Sequence, residues 1–193
     1  MEGYYDHHAT VALARPVTLI GFLDGLHRHM GHRLASRTGL PLIDVERWVE
    51  HQAGQSLWDL VHTQGETMLR QLERELLRKA LASQPCGVVV LGDGALLHPA
   101  NLEEVRAHST LIYLRLDLAN AYWRLRGWQQ ERGRMWHPFL PHPLESIDQL
   151  RPAYEQRRPG FEQAHHTLDL AGKNAEEILR QLLNLLPEAQ PAP

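Results

Sequence analysis

PVTLIGFLDGLHRHMGHRLASRTGLPLID, residues 16–44, decides the fold. The apolar run PVTLIG (16–21) suits a buried strand and ends at a glycine. In LHRHMGHRLASRTG (26–39), Leu26, Met30 and Leu34 share one helical face, and Gly39 is a natural stop. LPLI (40–43) is a second apolar run, closed by Asp44. Strand, glycine, short loop, helix and strand in that order is the layout of a phosphate-binding loop. The residues that hold phosphate in such a loop are another matter. The form G-x-x-x-x-G-K-[ST] uses glycines for close backbone approach, lysine for the outer phosphates and a hydroxyl for magnesium. The eight positions here are Gly21, Phe22, Leu23, Asp24, Gly25, Leu26, His27 and Arg28. Leu26 stands at the second glycine, His27 at the lysine and Arg28 at the hydroxyl, while Asp24 adds a negative charge where polyphosphate would sit.

Outward from this stretch the chain alternates. DVERWVEHQAG (44–54) predicts a helix ending at Gly54, and Ser56 caps a short helix before Gly65. In 66–84, Met68, Leu69, Leu72, Leu76, Leu77 and Ala80 fall at helical spacing. GVVVLG (87–92), TLIYLRL (110–116) and HTLDL (166–170) read as strands. Helices are predicted over 101–108, 117–127, 144–164 with breaks at its prolines, and 174–186. Residues 128–143 carry two tryptophans and three prolines, a loop or lid. Alternation of strand and helix predicts an α/β fold, a mainly parallel sheet covered on both faces, with ligands at the carboxyl ends of the strands. Residues 1–15 form an N-terminal arm, 16–186 the domain and 187–193 a disordered tail.

Composition narrows the function classes. With 193 residues and a net charge of -3, the chain is one domain, and nucleic-acid binding is not expected. The single cysteine, Cys86, forbids an internal disulfide and is expected in the core; with no apolar run of membrane-spanning length, the expected setting is the cytoplasm. The only lysines are Lys79 and Lys173, both placed away from the loop. The 13 histidines are spread along the chain, and His27, His29 and His32 do not share one helical face, so no metal site is expected.

Several motifs in order give the chain a resemblance to the shikimate kinase family, from about residue 16 to 186. IGFLDGLHRHMGHRLASRTGLPLIDVE resembles the family's IGFMGSGKSTVGRxLAxxLGxxFxDxD. HQAGQSLWDLVHTQGETMLRQLERELL resembles G-x-S-I-x-x-I-F-x-x-x-G-E-x-x-F-R-x-x-E, GDGALLHPAN resembles G-G-G-A-x-x-x-x-x-N, and RRPGFEQA resembles R-x-P-L-Y-x-x-x-A. The resemblance implies a three-layer α/β/α sandwich with a five-stranded parallel sheet, of the P-loop NTPase type. It implies that Arg70 and Arg157 clamp a substrate carboxylate, as a guanidinium fork does well. It places Asp44 near the magnesium and phosphate path, Glu46 at the position that receives substrate hydroxyls, and Gly92, Asp93 and Gly94 at a glycine triplet beside the substrate, with Glu73 as support. His137, in HPFL (137–140), stands where the family's lid has a phosphate-facing arginine, and Arg134 or Arg132 could stand in for it. Bland alternatives exist: Arg70 on a charged helix face, Arg157 as a surface neighbour of Arg158, Asp44 as a helix cap, GDG as a turn.

Three functions are thereby expected in competition. One is a pseudokinase that keeps a pocket for a small carboxylate such as shikimate, with no resident cofactor. Another is an active small-molecule kinase with a rearranged donor site, using ATP and Mg2+. The last is a regulatory protein that acts through a protein partner.

Overall fold

The computed structural model describes residues 12–23, 25–132, 138–140 and 143–186. Five parallel strands form one sheet in the order β2-β3-β1-β4-β5: β1 Val17–Gly21, β2 Leu42–Asp44, β3 Val88–Val90, β4 Thr110–Arg115 and β5 His166–Asp169. β1 is central, and all five of its residues are buried, as a strand covered on both faces must be. It pairs with β3 from Val17↔Val88 and with β4 from Val17↔Thr110. The helices are α1 Leu26–Thr38, α2 Val45–Ala53, α3 Leu57–Leu81, α4 Pro99–His108, α5 Leu118–Arg132, α6 Arg151–Phe161 and α7 Ala175–Asn184.

Local sequence explains most boundaries. Asp44 caps α2 by accepting from the Arg47 backbone N–H at 3.2 Å, and Asn174 with Glu177 forms a capping box at α7. Gly39 and Gly54 end α1 and α2 in the left-handed conformation. α1 buries Met30 and Leu34 against the sheet, each such burial contributing roughly 1.5–3 kcal/mol. Cys86 is buried, as the sequence predicts.

Gly65 (φ 84, ψ 165) breaks the helical path within residues 57–81, which agrees with the two helices expected on either side of it. Two boundaries differ from the sequence reading. Residues 128–132, expected in the lid, are the last turn of α5. Pro159 does not break α6, because it sits in the final turn and removes a single backbone bond. Residues 1–11, which hold most of the expected arm, and the tail 187–193 lie outside the described residues, as do residues 133–137, 141 and 142 of the expected lid. Among the described residues no helix is long and apolar enough to cross a membrane.

Candidate active site at the strand carboxyl ends

The carboxyl ends of β1, β2 and β3 deliver the loop after Gly21, then Asp44, then Gly92, Asp93 and Gly94, to one end of the sheet. There a cavity of about 890 Å3 opens, lined among others by His27, Arg28, Asp44, Glu46, Trp128 and Lys173.

On the loop side, Gly25 takes the left-handed conformation (φ 63) that a sharp entry into α1 requires. A Cβ there would come 2.8 Å from the Trp128 ring, so the indole of α5 lies directly over the loop backbone. His27 lies in the core, 3 % exposed. Its Nε2 is 3.0 Å from the Leu91 carbonyl oxygen. A carbonyl only accepts, so the neutral ring carries its proton on Nε2. Nδ1 has no hydrogen-bond partner among the described residues. Burial pushes the imidazole down to about 4, outweighing the Leu91 hydrogen bond, which raises it. The position where a phosphate lysine would stand thus holds an uncharged ring.

Arg28 reaches across to β2 and α2. Its Nε and Nη2 donate to Asp44 Oδ2 at 3.0 and 2.7 Å, and its Nη1 donates to Glu46 Oε2 at 2.6 Å. Burial lowers the guanidinium's proton affinity, but Glu46 and then Asp44 raise it by more, so the cation is secure. Asp44 is therefore both a helix cap and an ion-pair partner, and the two readings of it are compatible. The longer Glu46 side chain spans from Arg28 to Gly92, where a Cβ would fall 2.6 Å from Glu46 Oε1.

The second half of the site is also ion-paired. Arg70 Nη1 donates to Glu73 Oε2 at 2.6 Å, and its Nε and Nη2 donate to Glu66 Oε1 at 3.0 and 2.9 Å. These are the i,i+3 and i,i+4 pairs of a charged helix face, yet Arg70 also abuts Gly94, where a Cβ would meet Nη2 at 2.4 Å. The Phe139 ring covers it with 4.8 Å from Cζ to centroid. Burial pushes Glu73 up to about 7 against the opposing pull of Arg70, with Glu46 and Asp93 adding to the rise. Arg157 is not a surface neighbour of Arg158: it is buried and donates through Nε to Asp93, also buried, and through Nη1 to the Ala153 carbonyl at 3.0 Å. Arg158 instead pairs with Glu155 and Glu162 in solvent.

The structure thus brings Gly21, Gly25, Leu26, His27, Arg28, Asp44, Glu46, Arg70, Gly92, Asp93, Gly94 and Arg157 to this end of the sheet. Asp24, Arg134 and His137 lie outside the described residues, and Arg132 ends α5. Several cavity residues escaped sequence reasoning, Lys173 and Trp128 among them. Lys173, expected away from the loop, lines the cavity, its Nζ donating to the Asp169 carbonyl at 2.6 Å. Trp128 covers Gly25 rather than hanging in a free lid, and no local signal marks that contact. Trp123, also on α5, is exposed. His29 is exposed and His32 half-buried; among the described residues no group of three or more His, Cys, Asp or Glu is placed to hold a metal ion.

Comparison with known proteins bears on the family and the fold. The family model for shikimate kinase matches residues 28–187, starting at Arg28. Shikimate kinase of Salinibacter ruber is 33% identical over 180 residues, covering 91% of this chain and 87% of that protein. Its counterpart in Symbiobacterium thermophilum is 29% identical over 173 residues, covering 89% and 96%. Among solved structures, shikimate kinase from Acinetobacter baumannii in complex with shikimate superimposes with a TM-score of 0.76 at 20% identity, covering 89% of this chain and 92% of that one. The enzyme from Aquifex aeolicus does so at 0.70 and 22%, covering 88% and 94%. The structural likenesses carry the P-loop NTPase fold, and the sequence matches carry the kinship: the chain belongs to the shikimate kinase family.

Proposed function

We propose that this family member is a pseudokinase, which binds through its shikimate-kinase-type site without transferring phosphate from ATP. The observation that carries the reading is Arg28 lying across Asp44 and Glu46. Magnesium needs carboxylate, hydroxyl and phosphate oxygens in near-octahedral array. Here the hydroxyl position has become a guanidinium that already occupies both carboxylates with hydrogen bonds and places a positive charge where the ion would sit, so the residues present do not fit the ion. Nor do they fit the phosphates. The lysine position holds a neutral, buried His27, and Trp128 covers the loop at Gly25. Phosphoryl transfer rests on positioning and charge stabilisation. Each lost charge-assisted contact removes roughly 1.5–3 kcal/mol, so losing lysine and hydroxyl together removes ~5 kcal/mol, about four orders of magnitude in rate.

A second reading, an active shikimate kinase, draws on the names of the relatives and on two cations in the cavity wall, Arg124 and Lys173. One experiment separates the two. Magnesium–ATP is titrated calorimetrically into the protein, and ADP release is followed with shikimate present. The pseudokinase reading expects no binding at millimolar nucleotide and no turnover. It further expects the triple variant Leu26→Gly, His27→Lys, Arg28→Ser to gain nucleotide binding. Micromolar binding with shikimate-dependent ADP release by the unaltered protein overturns it, and loss of that release in Lys173→Ala would locate the replacement cation.

A further inference from the structure

The two arginines that the family resemblance assigns to the acceptor are each answered by carboxylates of the chain itself. Arg70 is held by Glu66 and Glu73. Arg157 is held by Asp93, and both side chains of that pair are only 4% exposed. Asp93 comes from the turn after β3 and Arg157 from the middle of α6, so the pair is long-range and fixed by two separate elements. The glycines flanking Asp93 sit hard against other site side chains, Gly92 against Glu46 and Glu73, Gly94 against Arg70, which leaves Asp93 the one side chain the turn can project. Around this turn, five carboxyl groups (Asp44, Glu46, Glu66, Glu73, Asp93) pair with three guanidiniums (Arg28, Arg70, Arg157). The pocket is thus not a cationic trap awaiting an acid. Each of these cations is already paired with a carboxyl group of the chain.

We propose that Asp93 is a tethered carboxylate ligand of Arg157, occupying the contact that the carboxylate of a free acid would make, and so sets the pocket against carboxylic acids. The inference rests on the acceptor site being of the shikimate kinase type, and it deepens that reading by naming what the site excludes. A free acid has to displace Asp93 from Arg157, which strands a buried carboxylate beside Glu46 and Glu73; an uncharged polyol makes no such demand.

The test is calorimetric titration of shikimate, and separately of its uncharged methyl ester, into the full chain and its Asp93→Gly variant, with no nucleotide present. Removing the side chain leaves the Arg157 Nη1 on the Ala153 carbonyl and the Gln156 amide oxygen and takes from Nε its Asp93 acceptor. The expected result is at least tenfold tighter shikimate binding by Asp93→Gly, with the ester unchanged. Equal shikimate affinity in the two proteins, binding by neither, or an equal gain for the ester, which would mean that only space was opened, each overturns the proposal. Asp93→Asn keeps size and one contact to Arg157 and guards against misfolding of the glycine variant. It should gain shikimate affinity in the same direction but by less, and no gain in it overturns the proposal as well. Since nucleotide is absent, these outcomes are independent of phosphoryl transfer: a chain that turns over ATP with shikimate would sink the pseudokinase reading alone.

Discussion

The loop half and the acceptor half of the site have departed from an open, charged pocket by opposite routes. After β1 the residue types themselves differ from a phosphate loop: a leucine at the second glycine, a histidine at the lysine, an arginine at the hydroxyl. Around β3, α3 and α6 the charged residue types persist, Arg70, Glu73 and Arg157, but each arginine is closed by an internal partner. The loop half lost its cation by substitution, whereas the acceptor half lost its free charge by pairing. Arg28 links the two, since it is a loop residue whose charge serves the acids of β2 and α2. A motif comparison detects the first route and is blind to the second.

The largest expected effect tests the acceptor pair. Arg157→Ala strands the buried Asp93 carboxylate and should destabilise the fold by about 3–5 kcal/mol in urea denaturation at pH 7. Asp93→Ala should cost a similar amount by stranding the guanidinium. The double variant should cost well below the sum, because neither charge is then left bare. Full additivity would mean the two side chains do not act as a pair. Arg28→Ala is the loop-side counterpart. Arg28 keeps 32% of its side chain in solvent, so water screens the acids it leaves behind, and a smaller loss of about 2 kcal/mol is expected. If Arg28→Ala proves the costlier of the two, the loop half, not the acceptor half, anchors this end of the sheet.

Next in size is a pH effect of opposite sign in the two halves. His27 titrates at about 4 in the folded chain against 6.5 for an unperturbed imidazole. Between those values the unfolded chain binds a proton that the folded chain refuses, so stability falls as pH falls. Glu73 titrates at about 7 against 4.5 for an unperturbed carboxyl. Between those values the folded chain holds a proton that the unfolded chain has lost, so stability falls as pH rises. Each slope amounts to about 1.4 kcal/mol per pH unit where fully developed. The two cancel in the unaltered protein from about pH 5 to 6. His27→Gln should expose the Glu73 slope, making the protein less stable as pH rises through that range. Glu73→Gln should expose the His27 slope, less stable as pH falls. Denaturation midpoints of both variants at pH 5 and 6 decide it, and parallel slopes in the two would refute the assignment of these groups.

How much of this was visible in the sequence follows from what each signal depends on. Strand order aside, the layers were legible because β1, β3 and β4 are apolar runs bounded by glycines or turn residues and α3 carries helical periodicity over its second half. Gly39, Gly54 and Asp44 marked helix ends because capping is a local event. The substituted loop was equally legible, since a missing lysine is a matter of identity. The destinations of the charges were not. Arg28 and Asp44 are 16 residues apart and Asp93 and Arg157 are 64 apart, and nothing in the composition of either stretch selects those partners over nearer ones. Arg158, next to Arg157, is paired within its own helix in solvent. Adjacent arginines thus take opposite environments because α6 turns one inward, and helical phase alone, interrupted by Pro152 and Pro159, did not say which.

The smallest expected effect concerns the cover over the acceptor half. Phe139 places its ring centroid 4.8 Å from the Arg70 guanidinium carbon. A cation over an aromatic face contributes about 0.5–1 kcal/mol where water still reaches it. Phe139→Ala should therefore cost that much plus the buried part of the ring's own area, and Phe139→Leu should recover the area but not the charge contact. The contrast with the loop half lies in the coupling. Arg70→Met should abolish the difference between Phe139→Ala and Phe139→Leu beyond what size explains, whereas Arg28→Ala should leave it untouched, because Arg28 faces Asp44 and Glu46. If Arg28→Ala removes it too, the two halves form one ion-paired unit and the division between them fails at the pocket roof.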